Sequence, residues 1–230
     1  MRSNKQIEDI KKYQSPPKQI FDFLTQGQIQ DLLDYYKRCE FIDVKPTGPK
    51  CAYLSGNEIV LKSIVNKLKE HFGNFKIRNA QIFDTSVPHA LHNDDGKDFP
   101  ITYKAFNFPL YVETGVDTDA KLCMFDQYYY GGPAKFFNGE NITQNTYNAI
   151  LTEYSKIQNK SNKLIEKETK QKYLSHLEDK WLDGMSIQKI FDWKIGSCIA
   201  FDALQIHCAS NFKNAGINSK IGLSIFTVIE

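Results

Sequence analysis

Apolar positions recur at helical spacing twice in the first third of the chain, then change to strand-like runs. Ile29, Leu32, Leu33 and Tyr36 fall on one helical face. Thr25-Gln26-Gly27-Gln28 precedes them with capping-box spacing, a hydroxyl followed three residues later by Gln. A second stripe, Leu61, Ile64, Val65, Leu68 and Phe72, follows Ser55 and Glu58 at the same cap spacing and stops at Gly73. Residues 1–17 are polar, end in Ser15-Pro16-Pro17 and read as a tail. From Phe75 onward helical periodicity fades. Runs rich in Phe, Ile, Tyr and Val predict strands at Phe75–Phe83, Ile101–Val112, Lys121–Tyr130, Ser197–Asp202 and Ser219–Ile229. Gly131-Gly132-Pro133 and Asn138-Gly139 mark turns.

Between the third and fourth strands lies a long polar stretch. It opens on a helix bearing Tyr147, Ile150, Leu151, Tyr154 and Ile157 and runs to about Gly184. Its length reads as an insertion or lid. Helices first and strands afterwards, without alternation, argue against a βαβ fold. They predict a mainly β (α+β) chain, an antiparallel barrel or double-sheet jelly roll with helices buttressing one face. The expected layout is one domain over 1–230. It has a tail (1–17), helical support (18–74), a jelly-roll core (75–139 and 191–230) and an insertion (140–190).

Composition narrows the function classes. A chain of 230 residues supports one well-buried core, and 16 Phe with 12 Tyr favour strands in it. A formal charge of +2 gives no broad field for nucleic acid or an anionic membrane. No apolar run reaches the length of a bilayer-spanning helix, and the first residues lack the apolar run of a secretory signal. Five cysteines, an odd number without CxxC spacing, argue against a disulfide framework or zinc ribbon. The expectation is a soluble cytoplasmic protein with reduced thiols.

The candidate chemistry sits in Pro88-His89-Ala90-Leu91-His92-Asn93-Asp94-Asp95-Gly96. In extended backbone, side chains two apart project the same way, so His92 and Asp94 can grip one metal from a single strand end. The best third ligand is His207, which follows the turn Trp193-Lys194-Ile195-Gly196 and an apolar strand. Two imidazoles and one carboxylate on one face of an octahedron form the facial triad of non-haem iron oxygenases, whose open positions take cosubstrate and dioxygen. The last strand adds a cation. Ile221, Leu223 and Ile225 share one face; Lys220, Gly222 and Ser224 share the other. A Lys flanked by small residues suits the distal carboxylate of a metal-chelating dicarboxylate.

His92-Asn93-Asp94, the Trp-Lys-x-Gly turn, Phe201-Asp202 ahead of His207, and the Lys220 strand together resemble the 2-oxoglutarate/Fe(II) oxygenase superfamily. The likeness is nearest to its phytanoyl-CoA and prolyl-hydroxylase-like groups and covers roughly residues 75–229. It implies a double-stranded β-helix, Fe(II) on His92, Asp94 and His207, and 2-oxoglutarate held by Lys220. The implied reaction hydroxylates a C–H bond while 2-oxoglutarate and dioxygen become succinate and carbon dioxide. Three positions depart from the pattern: Lys220 stands where Arg is frequent, Ile195 where Pro is common, and Gly222 where some members carry Ser. Ser224 is a candidate to compensate for the last.

Lys104 is a rival for the distal carboxylate, because its parity with Phe106, Phe108 and Leu110 points it into the expected barrel. Tyr103 and Gln127 are candidate hydrogen-bond partners of cosubstrate or substrate. His89 is expected on the opposite face and Asp95 out of phase with Asp94, both supporting the ligands. Asp202 either supports His207 or makes a turn. The expected substrate is a small molecule or of amino-acid or peptide type, with no nucleic acid and no membrane partner. The competing reading is a non-catalytic or keto-acid-independent cupin-like β-sandwich that binds metal or serves as structure.

Overall fold

The structure is a computed structural model that describes residues 2–39, 42–43, 49–96, 102–113, 119–136 and 144–229. Ile101 and the Asn138-Gly139 turn lie outside the described residues. Helices α1 (Asn4–Lys11), α2 (Gln26–Arg38) and α3 (Ile59–Phe72) alternate with short strands β1 (Lys18–Ile20), β2 (Ile42–Asp43) and β3 (Lys50–Tyr53). Then come β4 (Lys76–Thr85), β5 (Leu91–His92), β6 (Thr102–Val112), β7 (Lys121–Tyr128) and β8 (Lys135–Phe136). Helices α4 (Gln144–Ser155), α5 (Lys167–Tyr173) and α6 (Asp179–Leu182) precede β9 (Ile187–Asp192), β10 (Cys198–Asp202), β11 (Gln205–Ala209) and β12 (Lys220–Val228). No helix among the described residues is long and apolar enough to cross a membrane.

The strands form two antiparallel sheets, one ordered β1-β10-β6-β12-β4-β3-β2 and the other β8-β5-β11-β7-β9. Their inner faces meet through Ala105, Val112, Phe201 and Phe226 of the larger sheet and Leu122, Met124 and Phe191 of the smaller. Alternation along β12 decides which side chain goes where. Leu223 and Ile225 face the helices, where they join Leu32 of α2 and Leu61, Ile64 and Leu68 of α3. Lys220, Ser224 and Phe226 face the space between the sheets. Each buried aliphatic side chain contributes about 1.5–3 kcal/mol of transfer free energy, which fixes this orientation against a one-residue slip.

The caps form where the spacing placed them. Thr25 and Gln28 exchange side-chain bonds at the start of α2, at 3.2 and 3.0 Å. Before α3 the bond runs from the Ser55 hydroxyl to Glu58 at 2.9 Å, but Glu58 is itself the N-cap residue and Ser55 lies outside the helix. The supposed tail differs from expectation. Ser3 and Gln6 make a capping box and start α1, whose Ile10 packs against Tyr130 and Leu204. That interaction folds the tail onto the body.

The second difference is larger. Helices cover both outer faces, not one. Tyr154, Leu174, Trp181 and Met185, from the segment expected as an insertion or lid, bury against Cys123, Phe125, Ile206 and Cys208 of the smaller sheet. Tyr154 donates its hydroxyl to the carbonyls of Trp181 and Asp183 at 2.9 and 2.7 Å, satisfying the polar end of that aromatic cluster. The segment's Lys-rich surface hides an apolar stripe that needed the sheet to reveal it.

Candidate metal centre

His92, Asp94 and His207 converge, with their ligand atoms all within 4.8 Å of one another. The fold brings them together by pairing. His92 on β5 lies directly opposite His207 on β11, and the Asp94 amide donates to the Ala203 carbonyl at 2.7 Å. Asn93, between the two ligands, points the other way. Its amide donates to the carbonyls of Tyr129 and Gly132 at 3.1 Å each, and its oxygen accepts from the Ala134 amide at 2.8 Å. That anchor holds His92 and Asp94 on a common face. His207 is aimed by a register shift between β11 and β7 after Gln205, an irregularity of the kind that re-aims side chains beside functional sites.

The imidazole tautomers are fixed by the backbone. Nδ1 of His92 faces the Ala90 carbonyl at 2.7 Å, and Nδ1 of His207 faces the Gln205 carbonyl at 3.0 Å. A carbonyl accepts only, so each Nδ1 carries a proton, and in the neutral ring that leaves the lone pair on Nε2. Those Nε2 atoms lie 3.8 and 3.3 Å from the Asp94 carboxylate oxygens. Burial, then repulsion from His207, hold the His92 pKa well below its usual value, which keeps that imidazole neutral. Burial pushes Asp94 upward, but His207, His92 and Arg78 outweigh it and hold the carboxylate ionised. Two imidazole nitrogens and one carboxylate are the donor set a divalent first-row metal takes.

A cavity of about 150 Å³ opens beside the triad and is walled by both sheets. Lys220 and Ser224 of β12, Asn107 of β6 and Gln81 of β4 contribute its polar surface. Ser224 lies opposite Gln81 on one side and Asn107 on the other, so the three form a polar row across the sheet. The Ser224 hydroxyl donates to the Asn107 oxygen at 2.7 Å. Lys220 is 2% exposed. Its ammonium lies 3.8 Å from the Trp193 ring centre and 5.2 Å from that of Phe212. Among the described residues no carboxylate pairs with it. Burial draws its pKa down from 10.5 to about 7. A buried cation without a counter-ion is costly unless a ligand supplies the charge.

The other candidates lie elsewhere. Lys104 faces Asp202 across β6 and β10, pairs with it, and donates to Ser15 Oγ at 2.7 Å. That ion pair occupies the ammonium away from the cavity. Asp202 also accepts from Tyr128 Oη at 3.0 Å and the Ser15 amide at 3.1 Å, so it anchors the N-terminal segment instead of His207. Lys104 keeps its parity with Phe106 and Phe108, but that face of β6 meets the helices and not the space between the sheets. Beyond it a bulge where β6 meets the end of β12 leaves Tyr103 on the helix side too, where it donates to the Phe72 carbonyl at 3.0 Å. Gln127 spends its amide on the Asn159 carbonyl at 2.7 Å and accepts from the Ser186 amide at 2.9 Å, bracing the helical segment.

His89, expected on the opposite face, lines the cavity with its ring centre 5.3 Å from that of His92. Residues 88–90 belong to no strand, so strand parity does not orient His89. Burial draws the His89 pKa down to about 4, so this imidazole is neutral. Asp95 is held by Arg2 and by Thr102 Oγ1 at 2.6 Å. Arg78 donates to the Asp94 carbonyl at 3.0 Å. Asn107, a lone polar residue in Ala105-Phe106-Asn107-Phe108, and Trp193, in the turn Trp193-Lys194-Ile195-Gly196, also line the cavity without being among the expected site residues. A larger cleft of about 610 Å³, between α1 and the Gln158 region, holds no comparable chemistry. Its cations are already paired: Lys11 with Glu8, Lys156 with Glu153 and Arg2 with Asp95.

No protein-family model and no curated protein sequence matches the chain. Solved structures do. HygX from Streptomyces hygroscopicus with nickel and 2-oxoglutarate bound shares 10% identity at a TM-score of 0.52, covering 100% of this chain and 88% of that one. The non-haem α-ketoglutarate-dependent epimerase SnoN from nogalamycin biosynthesis shares 12% at 0.54, covering 99% and 84%. A Pseudomonas putida prolyl-4-hydroxylase shares 9% at 0.50, covering 98% of each. At these identities the likeness speaks for architecture, and on that ground the chain has the fold of the 2-oxoglutarate/Fe(II) oxygenases.

Proposed function

We propose that the protein is an Fe(II)- and 2-oxoglutarate-dependent oxygenase built on a double-stranded β-helix. Its metal ligands are His92 Nε2, His207 Nε2 and an Asp94 carboxylate oxygen. The observation that carries the reading is the pairing of this His–Asp–His cluster with an uncompensated buried cation in the same cavity. The residues fit the metal, because each imidazole is fixed with a lone pair toward the carboxylate. They also fit the cosubstrate, since Lys220 supplies the charge a distal carboxylate needs, and the Ser224 hydroxyl, which donates to the Asn107 oxygen, would turn its proton to that carboxylate on binding. The architecture shared with HygX, solved with nickel and 2-oxoglutarate, is in keeping with both.

Fe(II), held by His92, Asp94 and His207, would supply the coupling of dioxygen reduction to the decarboxylation of 2-oxoglutarate to succinate and carbon dioxide, and with it the oxidising power to attack a C–H bond. The chain's own part is positional. Asp94 and the two imidazoles keep the metal on one side of the cavity, and Lys220 with Ser224 fixes the far end of the keto acid. The apolar lining from Leu122, Phe83 and Phe226 excludes water. Engineered cavities of about 150 Å³ hold a benzene-sized molecule. The space therefore suits a cosubstrate, and the substrate approaches at the mouth, past neutral His89 and Pro49. We assign hydroxylation of a small-molecule or amino-acid-type substrate.

Measurement of iron content and of succinate formed from 2-oxoglutarate tests the reading in wild type, His92→Ala and Asp94→Ala. Wild type should hold about one iron per chain, as one triad allows, and should form succinate; both variants should remain folded and do neither. Succinate formation undiminished in the variants refutes the assignment. A wild type that takes up no stoichiometric iron returns the chain to a non-catalytic β-sandwich.

A further inference from the structure

The function proposed above leaves a chemical shortfall at the far end of the cavity. A lysine ammonium is a point charge on a flexible stem and lacks the two-pronged fork with which a guanidinium grips a carboxylate. Two features of Trp193 address that shortfall. The Lys220 ammonium sits 3.8 Å from its ring centre, within the range of cation–π attraction. Its indole nitrogen is buried without a hydrogen-bond partner, on a residue that is 3% exposed and lines the cavity. Buried N–H donors are normally satisfied, and one bordering a ligand cavity implies an acceptor brought by the ligand.

We propose that Trp193 completes the dicarboxylate receptor, its ring face seating the Lys220 ammonium and its indole N–H donating a second hydrogen bond to the same distal carboxylate. The two residues together do what one arginine would do. The inference rests on the 2-oxoglutarate reading and adds a positioning and selectivity residue to it. Trp193 is held where this requires. Its amide donates to the Ala120 carbonyl at 2.9 Å, and the Phe83 ring centre lies 6.1 Å from its own. A Cβ on Gly222 would come within 2.8 Å of Trp193 Cζ2 and 2.7 Å of Phe83 Cζ. The absence of a side chain at Gly222 is therefore what admits the indole beneath Lys220. Trp181 also has an unpartnered indole nitrogen, but it lies in the apolar cluster beyond the smaller sheet. The coincidence of orphan donor, cavity wall and unpaired cation is found at Trp193.

The test uses the full chain loaded with Ni(II), so that no turnover occurs, and reads binding by calorimetry. Wild type, Trp193→Phe and Trp193→Leu are titrated with Ni(II) in their metal-free form and, once loaded, with 2-oxoglutarate and with pyruvate, which has the keto-acid end but no distal carboxylate. Phe keeps the ring face and loses the N–H; Leu loses both. The expected result is weaker 2-oxoglutarate binding by about threefold to tenfold in Trp193→Phe and by more than about tenfold in Trp193→Leu. Ni(II) and pyruvate affinities should match wild type in both variants. A selective loss of this kind is one that general loosening of the core would not produce. Unchanged 2-oxoglutarate affinity in both variants, or parallel losses for 2-oxoglutarate and pyruvate, overturns the inference alone. Failure of wild type to bind 2-oxoglutarate overturns the cosubstrate reading and the inference with it.

Discussion

Lys220 pits stability against ligand binding, and replacing it with Met separates the two. Its pKa falls by burial from 10.5 to about 7, and a shift of that size corresponds to about 5 kcal/mol of disfavour for the charged form. Below pH 7 both folded and unfolded chains hold the proton, so the whole cost falls on the folded state. Between pH 7 and 10.5 the unfolded chain keeps a proton that the folded chain has shed, and wild-type stability rises by about 1.4 kcal/mol per pH unit. A Met at this position has similar length and packs against Trp193 and Phe212 without charge. Lys220→Met should therefore be more stable than wild type at pH 6 by about 2–5 kcal/mol, raising Tm by about 2–4 °C for each kcal/mol. The gap should shrink as pH approaches 10. Saturating 2-oxoglutarate, at about 100 times the wild-type Kd, should stabilise Ni(II)-loaded wild type by about 2.7 kcal/mol and the variant, left with the keto-acid end alone, by much less. Wild-type affinity should also fall about tenfold per pH unit above 7, because binding requires the charged lysine. Thermal unfolding from pH 6 to 9, with and without 2-oxoglutarate, checks each point. A variant less stable than wild type at pH 6, or one stabilised by the keto acid as much as wild type, refutes the reasoning.

Three further outcomes are expected. Lys104→Met leaves Asp202 buried without its partner and should lower stability by about 3–5 kcal/mol in urea unfolding, with 2-oxoglutarate affinity unchanged; lost affinity in a folded variant would restore Lys104 as the cosubstrate cation. Gly222→Ala places a methyl within 2.8 Å of Trp193 and Phe83, so overpacking should cost about 1–3 kcal/mol and loosen 2-oxoglutarate binding together with Tm. Burial holds the His176 pKa at about 4, so as pH falls below 6.5 the unfolded chain takes up a proton that the folded chain refuses. His176→Gln should flatten the loss of stability between pH 6.5 and 4 by about 1.4 kcal/mol per unit, measured by urea midpoints at each pH.

How much was legible followed from how local each signal was. The two amphipathic helices, the five long strands and the face-sharing of His92 with Asp94 all rest on periodicity over a few residues, and each appears in the structure. Short pairings such as β5 with β8 depend on distant partners and left no run to read. The helical segment over 144–182 misled because its apolar residues, Tyr154, Leu174 and Trp181, are spread among lysines and meet only on the sheet. Ser3 and Gln6 carried a capping signal for α1, but its single buried residue, Ile10, gave no stripe. Lys104 keeps the parity it shares with Phe106 and Phe108, but that face of β6 meets the helices, which alternation alone does not tell; Tyr103 lies on the same side because the β6 bulge adds a residue between Ala105 and Thr102. Parity along β12 served better for Lys220 and Ser224 because its register with β4 is continuous from Lys220 to Phe226.

The division of labour between the sheets explains why no single stretch of sequence could disclose the site. The smaller sheet carries the triad, and β5 is only two residues long, so His92 is held by its partners β11 and β8 instead of by its own strand. The larger sheet carries the cation and the polar row, on strands whose opposite face is committed to α2 and α3. Neither half is a site alone. The cavity exists because Phe201, Phe226, Leu122 and Met124 set the distance between the two faces. Large-to-small changes in that layer cost about 2–5 kcal/mol through the void they leave. They would also alter the separation of metal and lysine, the one dimension a chelating dicarboxylate of fixed length can measure. On the proposed function, packing between the sheets is thus itself a determinant of cosubstrate choice, and core and site are one problem in this fold.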